Sequence, residues 1–289
     1  MPCGTLFCFG LGYSAGFLAR DLAAEGWRIA GTSRDGAAGA GGFPVRRFTR
    51  GAPLADPAAA LSGTTHLLVS VPPDEEGDSV LDEHGPDIAA LPGLAWVGYL
   101  STTGVYGDRG GGWVDETSAL IPTGERGRRR VAAEAGWLAL HRRAGLPVHV
   151  FRLAGIYGPG RSALDTVRDG RARRIDKPGQ VFSRIHVADL VAVLRASMAR
   201  PDPGAVYNVA DDDPAPPEAV IAEACRLLGA PLPPLVPFAD AGLTPMARSF
   251  YDDNKRVSNR RIKEALGVRL LYPGYRDGLA ALLRQASGT

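Results

Sequence analysis

The sequence is poor in cysteine, and Cys3, Cys8 and Cys225 have neither CxxC spacing nor a nearby histidine. An odd number of thiols without that spacing argues against a disulfide framework or a zinc site, so we expect no metal. No apolar run approaches the ~20 residues that cross a bilayer, and no basic segment precedes the first apolar stretch. We therefore expect a soluble, cytoplasmic protein without a membrane partner.

The chain also lacks any block of one charge sign. Its 33 lysines and arginines are offset by 31 acids, which leaves a net charge of +2, and the arginines are scattered among the acids. Lysine is confined to Lys177, Lys255 and Lys263, and we interpret the excess of arginine as a composition bias rather than a binding strategy. Nucleic acid is therefore not an expected partner.

What the sequence does have is a series of short apolar runs separated by stretches of helix length. The runs cover 5–10, 28–34, 65–73, 95–103, 147–153 and 205–210. Most of them lack polar alternation, as strands covered on both faces do. Helices are predicted over 14–25, before Gly26, and over 127–144, before Gly145. This βαβ series predicts an α/β fold with a doubly wound parallel sheet of the Rossmann type.

The length of 289 residues suits a large domain with a smaller lobe. Beyond residue 210 the chain changes to proline-rich connections around one helix that begins near Pro216 or Pro217. Another helix is predicted between Ser258 and Gly267, and a last one over 275–285. We predict a dinucleotide-binding domain over 1–160, rejoined by 186–210, and a smaller C-terminal substrate lobe over 161–185 and 211–289.

The first strand leads into "FGLGYSAG", in which Gly10, Gly12 and Ala15 form the pattern GxGxxA. In this motif the first glycine permits a tight turn, the second lets the backbone approach a pyrophosphate, and the small third residue lets helix and strand pack closely. Free N–H groups at the helix start, here at Tyr13 and Ser14, face the anion. The motif predicts dinucleotide binding, with an ordinary glycine turn as the alternative.

The second strand ends in "TSRD", where an acid usually holds the ribose of NAD. Here Ser33 and Arg34 supply a hydroxyl and a fork-shaped cation that suit a 2′-phosphate, which favours NADP. NAD remains the alternative, with Asp35 on the ribose. The "SVPP" stretch after the third long strand is expected to put Val71 and Pro72 in the wall of the adenine side.

Further motifs follow along the chain. They are "LSTTGVYGD" at 100–108, "FRLAGIYGPGR" at 151–161, "FSRIHVADL" at 182–190, "VYNVAD" at 206–211 and "VSNRRIKEALG" at 257–267. Together with the glycine motif, and in this order, they resemble the extended short-chain dehydrogenase/reductases, the branch that contains nucleotide-sugar epimerases and dehydratases. The resemblance covers nearly the whole chain. The closer likeness is to an atypical subgroup with "GLGYSA" and "PMARSFY" signatures.

The resemblance implies a serine or threonine that orients the reacting oxygen, a tyrosine that exchanges its proton and a lysine that holds the nicotinamide ribose. Thr102 matches the first role, but Arg126 and Arg130 stand where the tyrosine and the lysine are expected. Guanidinium titrates above ~12 and has no acceptor, so Arg126 is no general acid or base, although it can grip a carboxylate or phosphate. The alternative is a pseudo-active site in which both arginines pair with acids, Arg130 with Glu134.

If chemistry survives, another group must move the proton. Tyr106 and Tyr157, on loops at the carboxyl ends of strands, and His186 are the candidates, each with a structural alternative. One YxxxK spacing exists, at Tyr251 and Lys255, but it lies too far downstream to be the dyad of the family.

The resemblance also directs attention to the substrate lobe. The pyrophosphate arginine of the family is replaced by Phe182, which argues against an ordinary nucleotide sugar, while Arg184 projects to the same side of its strand. Arg248 stands near the place of a phosphate-binding arginine, and Tyr251 lies in the segment that crosses the substrate pocket in related enzymes. The basic stretch 169–179 is expected to be a solvated loop near the cleft.

These observations predict an NADP-binding oxidoreductase or epimerase/dehydratase-like protein that acts on a small anionic metabolite, with a homodimer as a further expectation. The first alternative is a non-catalytic redox sensor or regulator that binds NADP. A β-hydroxyacid dehydrogenase would share the glycine motif and "SVPP" but does not account for "STTGVYG" or "IYGPGR".

Overall fold

The computed structural model describes residues 3–37 and 41–287 of the chain. Within these ranges the strands are β1 Thr5–Phe9, β2 Arg28–Ser33, β3 Val45–Arg47, β4 His66–Val69, β5 Trp96–Thr102, β6 Trp113–Val114, β7 Val148–Leu153, β8 Gly155–Tyr157, β9 Arg174–Asp176, β10 Arg184–His186, β11 Val206–Val209, β12 Leu235–Pro237 and β13 Arg256–Val257.

The α-helices of the same ranges are α1 Tyr13–Ala23, α2 Pro57–Ala60, α3 Ser79–Ala89, α4 Glu125–Ala144, α5 Ala163–Arg168, α6 Val187–Ala199, α7 Pro217–Leu228, α8 Pro245–Tyr251, α9 Arg260–Glu264 and α10 Tyr275–Ala286. Two short 3-10 helices cover Thr103–Tyr106 and Phe238–Asp240. Among these helices none combines the length and the apolar character needed to span a bilayer.

Seven of the strands form one parallel sheet in the order β11-β7-β5-β4-β1-β2-β3. The chain moves outward from β1 in one direction to β3 and then returns to build the other half from β4, which is the doubly wound arrangement. The sheet is buried, as in β5, whose first six residues are all inaccessible to solvent. The predicted α/β fold with a Rossmann-type parallel sheet is confirmed.

Each predicted apolar run contains one strand of this sheet. The strand in the run 65–73 stops at Val69, and the two prolines that end the run, Pro72 and Pro73, lack the N–H that a sheet ladder needs. The edge strand β3 was not predicted, because it has three residues and two of them are arginines.

The helices around the sheet begin and end at the expected signals. α1 is followed by Gly26 with φ +84°, and α4 ends directly before Gly145 with φ +68°, a left-handed conformation that glycine adopts without strain. α3 was not predicted, because its sequence contains Gly85 and Pro86, yet it forms behind the cap of Asp78, whose carboxylate accepts two backbone N–H groups.

The chain falls into two compact units. Unit 1 comprises 1–102, 125–152 and 191–207, and unit 2 comprises 103–124, 153–190 and 208–289. Unit 1 has its core on the sheet, with Phe7, Phe9 and Trp137 among its members. Unit 2 has a separate core that includes Tyr157 and Leu279.

These units differ from the predicted domains in four segments, namely 103–124, 153–160, 186–190 and 208–210. Residues 103–124, predicted to lie in the dinucleotide-binding domain, belong to unit 2 because their backbone bonds to the C-terminal part of the chain. The N–H groups of Arg109 and Gly111 both donate to the carbonyl of Asn254 at 2.9 Å, and β6 pairs with β13. Residues 153–160 and 186–190 also lie in unit 2, where β8 pairs with β10.

A buried ion pair lies inside unit 1. The carboxylate of Glu134, on α4, accepts an N–H from Arg152 of β7 at 2.8 Å and the hydroxyl of Ser101 of β5 at 2.5 Å. The side chains of Glu134 and Arg152 are 2% and 6% exposed. Because the charge of each partner is compensated only while the geometry is kept, the pair ties α4 to two strands of the sheet.

We expect Glu134→Gln to lower the free energy of unfolding by about 3 kcal/mol, because it removes the counter-charge of a buried guanidinium. Equilibrium denaturation in urea measures this change. The matched control is Glu125→Gln on the same helix, where the pair with Arg128 is exposed and the loss should be too small to resolve. Equal effects of the two substitutions would contradict the role given to the buried pair.

Candidate functional site

The glycine motif forms a tight turn between β1 and α1. Gly10 has φ +85°, and a Cβ built on it would lie 2.7 Å from the hydroxyl of Ser70. The turn is held by the N–H of Gly10, which donates to the Thr32 hydroxyl at 2.9 Å, and by the Ser70 hydroxyl, which donates to the Gly10 carbonyl. Only glycine fits this position, as the motif predicts.

The start of α1 fits a pyrophosphate. Gly12 is the N-cap of the helix, its N–H donates to Gly10, and among the described residues no side chain caps the helix or places an acid in its first turn. A Cβ added at Gly12 would meet no described atom within 4 Å, so the backbone at the helix start is open to a ligand. Tyr13 and Ser14 form the first turn and Ala15 is buried behind it, which gives an anion access to backbone N–H groups.

Polar and charged groups gather at the tip of β2. The hydroxyl of Ser33 donates to the carboxylate of Asp35 at 2.9 Å, and the same carboxylate accepts the N–H of Ala37. These hydrogen bonds lower the pKa of Asp35 below its ordinary value, so the group is an anion at neutral pH. Arg34 is exposed beside it. This geometry is compatible with both alternatives, namely NADP with its 2′-phosphate on Arg34 and NAD with its ribose on Asp35.

The predicted adenine wall lies next to the glycine turn. Val71 directly follows Ser70, and a Cβ at Gly10 would be 3.2 Å from a methyl group of Val71. Pro72 follows in the same loop. The structure therefore places the loop after β4 beside the glycine turn, and the contact of Val71 and Pro72 with adenine stays a prediction.

Thr102 and the two arginines of α4 lie in unit 1 with the glycine turn. Thr102 is the last residue of β5 and is half-buried, and Arg126 is exposed in the first turn of α4. Arg130 is half-buried, and its guanidinium donates to the carbonyl of Leu100 at 2.5 Å and to the hydroxyl of Tyr99 at 3.2 Å. Arg130 is thus fixed to the strand that ends at Thr102.

The predicted pairing of Arg130 with Glu134 is wrong. Glu134 binds Arg152 and Ser101 instead, although the spacing of four on a helix would allow the local pair. Glu134 pairs with Arg152 rather than with Arg130 because at that place its carboxylate accepts from both a guanidinium and a hydroxyl group. Ser101 and Glu134 were not predicted as a pair, since nothing in the sequence relates positions 33 residues apart.

The three candidates for proton transfer are buried. Tyr106 is fully inaccessible, and its hydroxyl donates to the side chain of Asn208 at 2.7 Å. Burial raises the pKa of Tyr157, whose hydroxyl donates to the Gly274 carbonyl at 3.4 Å. Burial lowers the pKa of His186 to about 4, and its Nδ1 accepts the N–H of Ala188. These settings favour a structural role for each of the three rather than proton exchange with a substrate.

Unit 2 contains a cavity of about 550 Å³, which we call the arginine cavity. Its charged lining consists of four arginines and one acid, namely Arg161, Arg171, Arg173, Arg184 and Asp165. Arg184 is held by the backbone, since one of its nitrogens donates to the carbonyls of Phe182 and Ala215 at 2.9 and 3.1 Å. Arg173 likewise donates to the carbonyl of Ala241. The carbonyl oxygens accept from these guanidinium groups without adding a negative charge of their own, which suits an anionic ligand.

The acid near Arg184 does not cancel this charge at neutral pH. Asp211 is 1% exposed, and its Oδ2 has no hydrogen-bond partner in the described part of the chain. Burial raises its pKa to about 8, against the opposing attraction of Arg184. The raised pKa of Asp211 reduces the negative charge that this carboxyl places near Arg184 at neutral pH.

Two of the three predicted substrate residues line the arginine cavity. They are Arg184 and Tyr251, the latter 8% exposed. Arg248 does not belong to the lining, because its exposed guanidinium lies 4.8 Å from the ring centre of Phe238. The stretch 169–179 was expected to be a solvated loop near the cleft; Arg171 and Arg173 are exposed, and both also line the cavity. Because arginine is abundant throughout the chain, Arg171 and Arg173 do not stand out in the sequence as lining a cavity.

Lys255 has a structural task. It is buried, and its ammonium donates to the Gly107 carbonyl and to the carboxylate of Asp253 at 2.9 and 2.8 Å. It thereby fixes the loop after β5 within unit 2. The distant YxxxK spacing is a feature of this anchor, in line with its exclusion as the dyad of the family.

Comparison with known proteins gives close relatives but no matching family model. A conserved protein of unknown function from Silicibacter pomeroyi DSS is 57% identical, with a TM-score of 0.87, over 98% of this chain and 99% of that one. Protein YeeZ of Escherichia coli K12 is 27% identical over 281 residues, 91% of this chain and 94% of YeeZ.

Two further solved structures extend the comparison. A proposed NAD-dependent epimerase/dehydratase from Methylobacillus flagellatus is 25% identical, with a TM-score of 0.73, over 99% of this chain and 100% of that one. The fold is also shared with MoeE5 in complex with UDP-glucuronic acid and NAD, at 20% identity and a TM-score of 0.79 over 98% of this chain and 99% of that one. The chain belongs to the family of the Silicibacter pomeroyi protein and, with it, to the NAD-dependent epimerase/dehydratase superfamily of extended short-chain dehydrogenase/reductases.

Proposed function

We propose that the chain is an NADP-dependent oxidoreductase or epimerase of this superfamily that acts on a small anionic metabolite. The observation that carries the proposal is the open, uncapped start of α1 at Gly12, next to a turn that only glycine can make. The anionic nature of the substrate rests on the arginine cavity.

The backbone of α1 would hold the pyrophosphate, and Val71 and Pro72 would flank the adenine. When bound, the nicotinamide supplies or accepts a hydride. NAD is the cofactor in the complexes of MoeE5; NADP is our proposal for this chain, because Arg34 at the tip of β2 offers a phosphate two parallel N–H donors.

Thr102 would orient the reacting oxygen with its hydroxyl, at the carboxyl end of β5 where sites of such sheets are found. Arg126 would attract a carboxylate or phosphate, and Arg130, fixed to Leu100 and Tyr99, would donate its remaining N–H groups toward the ribose. Neither arginine can exchange a proton at neutral pH. The proton must therefore come from solvent or from the substrate itself, and alignment of the reactants supplies the catalysis.

One observation favours a non-catalytic redox sensor as the second candidate. Arg126 and Arg130 stand where the resemblance implies a tyrosine and a lysine, and a guanidinium has no acceptor for a proton, while Arg130 also donates to Leu100 and Tyr99. A sensor needs to distinguish the redox states of the nucleotide, whereas an enzyme must bind both. The homodimer expected from the sequence stays a prediction under either function.

Calorimetric titration with NADPH, NADP⁺, NADH and NAD⁺ tests the proposal. We expect micromolar and similar affinities for NADPH and NADP⁺, and affinities at least about tenfold weaker for the other two, because they lack the phosphate for Arg34. Gly12→Val should abolish binding of all four without loss of thermal stability, because its side chain enters open space that the pyrophosphate would need.

The control for Gly12→Val is Gly85→Ala in α3, where an added methyl group also meets no described atom within 4 Å. It should bind as the unaltered protein does. Binding of one redox state alone would favour the sensor, and no binding of any nucleotide by the unaltered protein would overturn the proposed function.

The arginine cavity is tested separately with inorganic phosphate and benzoate as probes, by following chemical shifts or thermal stabilisation. We expect saturable binding of at least one anion, weakened about tenfold by Arg173→Gln or Arg184→Gln, since each removes a charged donor. Arg226→Gln is the control, because Arg226 lies on α7 of the same unit, pairs with Glu223 and does not line the cavity. An equal loss in the control would mean that the anions respond to general charge.

A further inference from the structure

The sheet places a second arginine beside the tip of β2. Edge strand β3 runs parallel to β2 in a register that pairs Ser33 with Arg47. Ser33 is the last residue of β2, and Arg34 directly follows it. Two arginines from neighbouring strands therefore reach the same end of the sheet, although they lie 13 residues apart in the sequence.

We propose that Arg47 is the second residue that reads the 2′-phosphate of the cofactor, and that Arg34 and Arg47 bind it as a pair. The inference rests on the proposed function and deepens it. It assigns NADP preference to a residue on the edge strand that the glycine fingerprint and the "TSRD" segment do not include.

The backbone brings the two segments into contact. Gly36, in the turn after Arg34, has φ +75°, and a Cβ built on it would lie 3.4 Å from both the Cβ and the backbone nitrogen of Arg47. The stem of Arg47 therefore starts against the turn that carries Arg34. An extended arginine side chain reaches several ångströms from this point, so both guanidinium groups can meet at one phosphate.

Charge explains why one arginine is insufficient. Asp35 is an anion that interacts with Arg34, and its carboxylate is held at the strand tip by Ser33 and Ala37. Arg34 and Asp35 together give no net charge, whereas the 2′-phosphate carries about −1.5 to −2. Arg47 makes the site positive. Both side chains are exposed, and within the described residues Arg47 forms no ion pair, so its charge is available to the phosphate.

The neighbouring Arg46 provides an internal control. It is also exposed, but it pairs with Thr32, and successive residues of a strand point to opposite faces. Arg46 and Arg47 therefore carry the same charge on opposite sides of the same edge. Of these two residues, only Arg47 would matter for a specific phosphate contact, whereas general attraction of an anionic nucleotide would depend on both Arg46 and Arg47.

Calorimetry with NADPH, NADH, 2′,5′-ADP and 5′-ADP tests the pair in the full-length protein. We expect Arg47→Gln to weaken NADPH and 2′,5′-ADP at least about tenfold while NADH and 5′-ADP are unchanged, as Arg34→Gln should do. Arg47→Lys, which keeps the charge but loses the fork, should recover part of the affinity, and Arg46→Gln should leave all four affinities unchanged. Thermal unfolding confirms that each variant is folded.

The outcomes separate the inference from the function on which it rests. If the unaltered protein prefers NADPH and Arg47→Gln does not change that preference, the role of Arg47 is overturned and the proposed function stands. Equal losses for Arg46→Gln and Arg47→Gln overturn it also, since they show general attraction. Unaltered protein that binds NADH as well as NADPH overturns both the NADP preference and the pair, and absence of any nucleotide binding overturns the proposed function itself.

Discussion

The buried pair of Glu134 and Arg152 is the constraint on which the predicted catalytic part of unit 1 depends. It joins α4 to β7, and the Ser101 hydroxyl joins the same carboxylate to β5. Because α4 carries Arg126 and Arg130 and β5 ends at Thr102, this one carboxylate sets the spacing among all three. Burial makes the pair intolerant of small displacements, since neither charge is solvated when the other moves away. The helix is therefore positioned both by this buried pair and by the packing of Trp137 in the core of unit 1.

Arg126 and Arg130 stand where the resemblance leads us to expect a tyrosine and a lysine, and their chemistry limits what these two positions can do. A guanidinium donates hydrogen bonds and holds charge, but it neither accepts a proton nor releases one at neutral pH. The arginine cavity in unit 2 is built from the same group, anchored on backbone carbonyls. Under the proposed function both units would bind anions, and the proton for the reaction would come from another group than these arginines.

The sequence predicts the parts of the structure that depend on local patterns. Six strands of the sheet coincide with apolar runs, and the glycine turn follows from the spacing of Gly10, Gly12 and Ala15, because strand, turn and helix start are encoded by adjacent residues. The short edge strand β3 was not predicted, because two of its three residues are arginines and it therefore lacks an apolar run. The partners of Glu134 and the lining of the arginine cavity depend on contacts between segments far apart in the chain. A single sequence does not show which distant segments contact each other, so these features could not be predicted.

The arginines of β3 have a consequence for the sheet as a whole. An edge strand presents unpaired backbone N–H and C=O groups that another chain can extend, which is the usual route to strand-to-strand aggregation. Here the edge is only three residues long and carries exposed Arg46 and Arg47, one on each face. Two copies that approached each other along this edge would bring four guanidinium groups together, and their repulsion opposes pairing of the two sheets through β3.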